Sequence, residues 1–143
     1  MTRRLFASST LSELTSPRRN PTEDVRSRSI LAARAAAAKS GADTLVLDVG
    51  PIIGITDVFV ITSGRNVRQV RTIAEEIEKK LKDEGHSGPI RTEGLQDASW
   101  VLLDYGDFVA HIFLEETRDF YNLDRLWADA PRLDWEESAA AVS

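Results

Sequence analysis

Cysteine is absent from the 143-residue chain, so disulfides and thiolate chemistry are excluded. That absence is compatible with a reducing cytosol and implies nothing further about compartment. Histidine is scarce. His86 and His111 are the only two, whereas a metal site normally wants two or more His or carboxylate ligands at suitable spacing. No apolar run approaches the ~20 residues that a membrane span needs. What remains is ordinary for a globular protein, with 42% apolar and 29% charged residues. The length suits one domain with a modest core.

The net charge of −5 is unevenly placed. Residues 1–20 hold four arginines against one glutamate, and residues 21–85 balance ten basic against ten acidic residues. Residues 86–143 carry four basic and twelve acidic residues. An acidic C-terminal half repels a phosphate backbone and attracts basic surfaces. Surplus acid is also ordinary solubility chemistry.

Residues 1–21 lack periodicity and mix Arg, Ser and Thr with few acids. The composition resembles that of an organelle transit peptide, but a disordered N-terminal extension is the expectation. Thr22 can cap a helix running to about Lys39, with Glu23 and Asp24 in its first turn and Gly41 beyond its end. Asp43 to Val49 reads as a strand closed by Gly50-Pro51. The near-continuous apolar run Asp57 to Thr62 reads as a strand buried on both faces. Asn66 caps a second helix with Gln69 three residues on. Val67, Val70, Ile73, Ala74, Ile77 and Leu81 recur at helical spacing before Gly85. Ile90 to Thr92 is a short strand. Thr117 to about Ala130 is helical in period, with Phe120, Leu123 and Trp127 on one face and Pro131 as its limit. Residues 132–143 are expected to form a flexible tail. The order predicts a single α/β domain over residues 22–131, a mixed β-sheet with helices packed on it.

The stretch from Trp100 to Trp127 is the most informative. Its start alternates and turns at Tyr105-Gly106, which would place Asp104 opposite Asp107, Leu102 opposite Val109 and Trp100 opposite His111. Val101, Leu103, Phe108, Ala110 and Ile112 fall on the other side of the ribbon. Like charges opposite each other disfavour pairing, so two facing carboxylates suggest a cation held there. The alternative is a pair of solvated turn residues.

Glu93-Gly94, Trp100, Asp104, Gly106-Asp107, His111, Arg118, Tyr121, Leu123 and Leu126-Trp127 together resemble the signature of the ribosomal silencing factors, the Iojap-like family. Upstream, Ile55-Thr56-Asp57, Phe59-Val60-Ile61, Ser63-Gly64 and Gln69-Val70 are similar to that family's other recurrent segment. Asp124 stands where the family usually has Glu. The resemblance spans roughly Val25 to Pro131. It implies a small α/β domain of nucleotidyltransferase-like topology that acts without catalysis, cofactor or metal. It also implies a cytoplasmic protein that docks on the large ribosomal subunit through a basic ribosomal protein, the fourteenth. Docking there would block subunit association and repress translation when nutrients are scarce. Neither nucleic acid nor a membrane is required for this, and a homodimer of the free protein is compatible with it.

The rival class is a nucleotide- or phosphate-binding enzyme of nucleotidyltransferase type. Such chemistry uses metal ions held by carboxylates on one strand face, with phosphate at a strand-to-helix turn such as Thr62-Ser63-Gly64-Arg65. No Asp-x-Asp follows that turn, and Asp48 and Asp57 lie on separate segments. The expected partner-binding residues are therefore Trp100 and Tyr121 as aromatic anchors, Asp104, Tyr105 and Asp107 at the hairpin tip, and Arg118. Arg118 could instead pair with Glu115, and Leu126 and Trp127 could be core or interface.

Overall fold

The structure, a computed structural model, describes residues 21–136. The expected N-terminal extension therefore lies outside the described residues, as does the Ala-rich end of the chain. Helix α1 (Glu23–Ala38) starts where the sequence places it, with Thr22 Oγ1 accepting from the Val25 amide at 3.2 Å. Strand β1 (Ala42–Asp48) leads through a one-turn helix α2 (Gly50–Ile53) to β2 (Val58–Gly64). Helix α3 (Val67–Asp83) follows, then β3 (Arg91–Glu93), β4 (Trp100–Asp104) and β5 (Phe108–Leu114). Asn66 caps α3 by accepting from the Gln69 amide at 2.8 Å. Gln69 does a second job: its side-chain amide donates to the carbonyls of Lys39 and Ser40, tying the start of α3 to the end of α1.

The sheet order is β1-β2-β5-β4-β3. Only β2 and β5 run parallel; the other neighbours are antiparallel, giving the expected mixed sheet. Helices α1 and α3 cover one face. Ala32, Ala33, Ala35 and Ala36 let α1 lie close, and Ile73, Ala74, Ile77 and Leu81 of α3 complete a dry core with Val58, Val60, Leu103, Phe108 and Ile112.

Three local expectations are corrected. The hairpin turns one residue later than expected. Tyr105 donates its amide to Phe108 O at 2.9 Å, Asp104 pairs with Val109, Leu102 with His111 and Trp100 with Phe113. Glycine therefore takes the first loop position, at φ +91°, and Asp104 no longer faces Asp107. Each strand keeps its predicted faces, because the slip moves every cross-strand partner by two residues and side chains alternate with a period of two. The helix expected over Thr117 to Ala130 is two short ones, α4 (Glu115–Tyr121) and α5 (Leu123–Leu126), broken at Asn122 in the left-handed region with φ +51°. Asparagine is among the few residues that adopt it readily. Finally, the segment expected to be a tail is held as far as Trp135. Asp48 donates its amide to Pro131 O, Leu133 donates to Val46 O at 2.8 Å, and Trp135 Nε1 donates to Thr44 O at 3.1 Å. Arg132 bridges Leu47 in antiparallel fashion, so this strap caps the outer edge of β1.

Candidate functional site

The second face of the sheet carries a cluster of aromatic residues. Leu45, Leu47, Phe59, Ile61, Trp100 and Phe113 project here, and α5 with the following turn covers them only in part, through Leu123, Trp127 and Ala130. Trp127 meets Phe59 edge-on at 5.4 Å and so belongs to this cover. Phe59 meets His111 edge-on at 4.5 Å, and Trp100 packs on Phe113 at 4.8 Å and on Tyr121 at 5.3 Å. Trp100 and His111 are diagonal neighbours rather than a facing pair, and the indole Nε1 donates to His111 Nδ1 at 3.1 Å. That bond fixes the neutral imidazole with its proton on Nε2. Burial pushes the His111 pKa down to about 4.

The hairpin tip is knitted into the domain. Asp107 accepts from Arg28 Nη2 of α1 at 2.6 Å. Asp104 accepts from the Gly106 amide at 2.8 Å and lies 3.4 Å from Arg91 Nη2. The cations facing both carboxylates are thus arginines of this chain. Tyr105 is core rather than surface, 8% exposed and stacked on Phe108 at 4.7 Å; burial raises its pKa, with Glu78 adding to the effect. Thr56 Oγ1 donates to Gly106 O at 3.0 Å, and the Asp57 amide to Asp107 O at 2.9 Å. The two recurrent sequence segments therefore meet at this turn. Gly94, at φ +84°, lies so close to Trp100 O that a Cβ there has no room.

Arg118 is 6% exposed and spends every guanidinium N–H inside the protein. It forms a bidentate pair with Asp124, 3.0 Å in each arm, and donates to Ala42 O, Asp43 O and Ser63 Oγ. Its partner is Asp124, not Glu115. The clamp pins α4 and the start of α5 to the ends of β1 and β2. It also engages Ser63, the residue of the supposed phosphate turn. Among the described residues no group of three or more His, Asp or Glu is arranged to hold a metal ion.

What faces solvent is the outer side of α4 and α5. Phe120 is 81% exposed, Tyr121 52% and Leu126 67%. The helical period puts Phe120 on one face with Leu123 and Trp127; with the break at Asn122 between them, Leu123 and Trp127 pack on the sheet while Phe120 faces solvent. Of the expected anchors, Trp100 and Tyr121 come together beside Phe120, while Asp104, Tyr105, Asp107 and Arg118 are absorbed into intramolecular contacts. Sequence reasoning gave no role to Arg28, which holds the tip, or to Glu116, which borders the exposed aromatics.

The model of the family "Ribosomal silencing factor during starvation" matches residues 22–143. The chain belongs to the ribosomal silencing factor family. Ribosomal silencing factor RsfS of Bacillus subtilis is 43% identical over 109 residues, covering 75% of this chain and 92% of that protein. A crystal structure of a Chromobacterium violaceum protein superposes with a TM-score of 0.68 at 32% identity, over 73% of this chain and 86% of that one. A second, from Bacillus halodurans, gives 0.64 at 33% identity over 79% and 99%. In this ribosomal silencing factor family member the signature residues thus divide into two sets. Gly94, Asp104, Asp107 and Arg118 build the domain, and Trp100 and Tyr121 reach its surface.

Proposed function

We propose that this chain docks on the large ribosomal subunit through its fourteenth protein, at the intersubunit face, and silences translation by obstruction. Occupying that face excludes the small subunit, so initiation falls under nutrient limitation. The process needs affinity and bulk, and no bond is made or broken. The observation that carries this reading, beside family membership, is an aromatic edge: half-buried Trp100 with exposed Phe120 and Tyr121, at the rim of a sheet face that the chain's own helices only partly cover. Large exposed apolar side chains in a cluster mark a protein-binding surface. The surplus acid of the C-terminal half complements a basic partner. The partner is a protein rather than nucleic acid, and the work is done in the cytoplasm.

Sucrose-gradient profiles test this. Added to purified small and large subunits, the protein should co-sediment with the large subunit and reduce the joined ribosome peak. Unchanged joining at saturating protein would refute the proposal.

A further inference from the structure

Beside α4 the surface forms a notch of about 310 Å³ lined by Ser99, Trp100, Glu116, Thr117, Phe120 and Tyr121. Three aromatic rings border it. Trp100 and Tyr121 are tilted by 52° at 5.3 Å, and Phe120 meets Tyr121 edge-on at 5.0 Å. Glu116 is the only carboxylate in the lining. Asp104 is engaged by Arg91, Asp107 by Arg28 and Asp124 by Arg118, whereas Glu116, like Glu115 and Asp119 of the same helix, takes part in no ion pair among the described residues.

We infer that this notch receives one lysine or arginine side chain of the protein partner, an inference that rests on the docking reading above. The alkyl stem covers Trp100 and Tyr121, and the cationic head lies against the rings and the Glu116 carboxylate. The chemistry selects that occupant. A cation is attracted to the negative faces of aromatic rings, the more so once desolvated. An anion would meet both the ring faces and Glu116 with the wrong sign. A purely apolar side chain would strip water from Glu116 and leave the carboxylate unpaired. Long cationic side chains also bury their methylene stems on apolar surface while the charge stays at the rim.

Glu115 supplies an internal control. It is adjacent in sequence but lines a different cavity, with Asp43, Asp119 and Asp124 around Arg118. Glu115→Gln and Glu116→Gln change the net charge equally and differ only in which side of α4 they neutralise. Affinity for purified large subunits is measured by sedimentation at several salt concentrations. Glu116→Gln should weaken binding about tenfold and flatten its salt dependence, and Glu115→Gln should change it less than about twofold. Phe120→Leu keeps apolar bulk but removes a ring, and should also weaken binding. Circular dichroism checks that each variant is folded. Should Glu116→Gln and Phe120→Leu bind as the unaltered protein does, or should the two glutamine variants lose affinity equally, the notch assignment is overturned while subunit docking stands. Failure of the unaltered protein to bind large subunits would remove both.

Discussion

One face of the sheet is mostly aliphatic and closed, the other rich in aromatic residues and half open. Valine, isoleucine, leucine and alanine interdigitate under α1 and α3. Tryptophan, phenylalanine and histidine line the opposite face, where the cover is two short helices hinged at Asn122. Aliphatic packing between long helices maximises dry burial. Aromatic residues combine large contact area with a polar edge, which suits a surface that must be stable both wet and covered. On the docking proposal, stability and partner binding fall on opposite sides, and single substitutions should separate them.

The largest effect is expected on the closed face. Phe108 is fully buried, stacked on Tyr105 and overlaid by the Arg28 guanidinium at 5.3 Å. Phe108→Ala should cost about 3–5 kcal/mol in urea unfolding, leaving the fraction still folded able to bind large subunits. A loss below about 1 kcal/mol would mean this face is not the core. Next comes the clamp between the faces. Arg118→Ala removes a buried bidentate pair and leaves Ser63 and two carbonyls without their donor, at a cost of about 3 kcal/mol. Arg118→Lys should recover little of it, because an ammonium cannot reproduce the fork. Full recovery would show that charge alone matters there.

The open face should reveal itself by pH. The folded His111 pKa of about 4 lies below the unfolded value of 6.5. The unfolded chain therefore takes up a proton first as pH falls, and the folded state loses relative stability from about pH 6.5 down to about 4. The loss approaches roughly 3 kcal/mol at the lower limit and vanishes above the unfolded pKa. Carboxylates titrate in the same window, so the measured quantity is the difference between the unaltered protein and His111→Gln. Parallel stability curves for the two proteins would contradict a buried neutral imidazole.

Much of this division was legible in the sequence, and the exceptions have physical causes. The period of α3, its Asn66 cap and the faces of β4 and β5 follow from side-chain alternation, which survives small errors of register. The turn itself did not, because Tyr105-Gly106 and Gly106-Asp107 both offer two-residue loops between apolar strands. Favouring glycine in the first loop position decides between them. The fate of the carboxylates was invisible, since Arg28 lies 79 residues from Asp107 in the chain. Nor did the tail announce itself: Leu133 and Trp135 are two residues apart within a polar stretch, and only the free edge of β1 gives them a partner. The break at Asn122 was equally hidden: a continuous helix keeps Phe120 on the face of Leu123 and Trp127, whereas Phe120 is 81% exposed and Trp127 packs on Phe59.

The aromatic edge gives the prediction smallest in stability and most telling for binding. Phe120→Ser removes a ring that touches little but Tyr121, so unfolding free energy should move by no more than about 0.5 kcal/mol. Its affinity for large subunits should nevertheless fall about tenfold or more, as for an anchor at the centre of an interface. Ile90→Ser is the matched comparison: a similarly exposed apolar residue, 76% exposed, in the turn leading to edge strand β3, beside the hairpin tip at the opposite end of β4 from Trp100. Both variants should be as stable as the parent, and only the first should lose binding. If Ile90→Ser were the one to lose it, the docking surface would lie at the β3 edge, and the open aromatic face would have to be explained by something other than a partner.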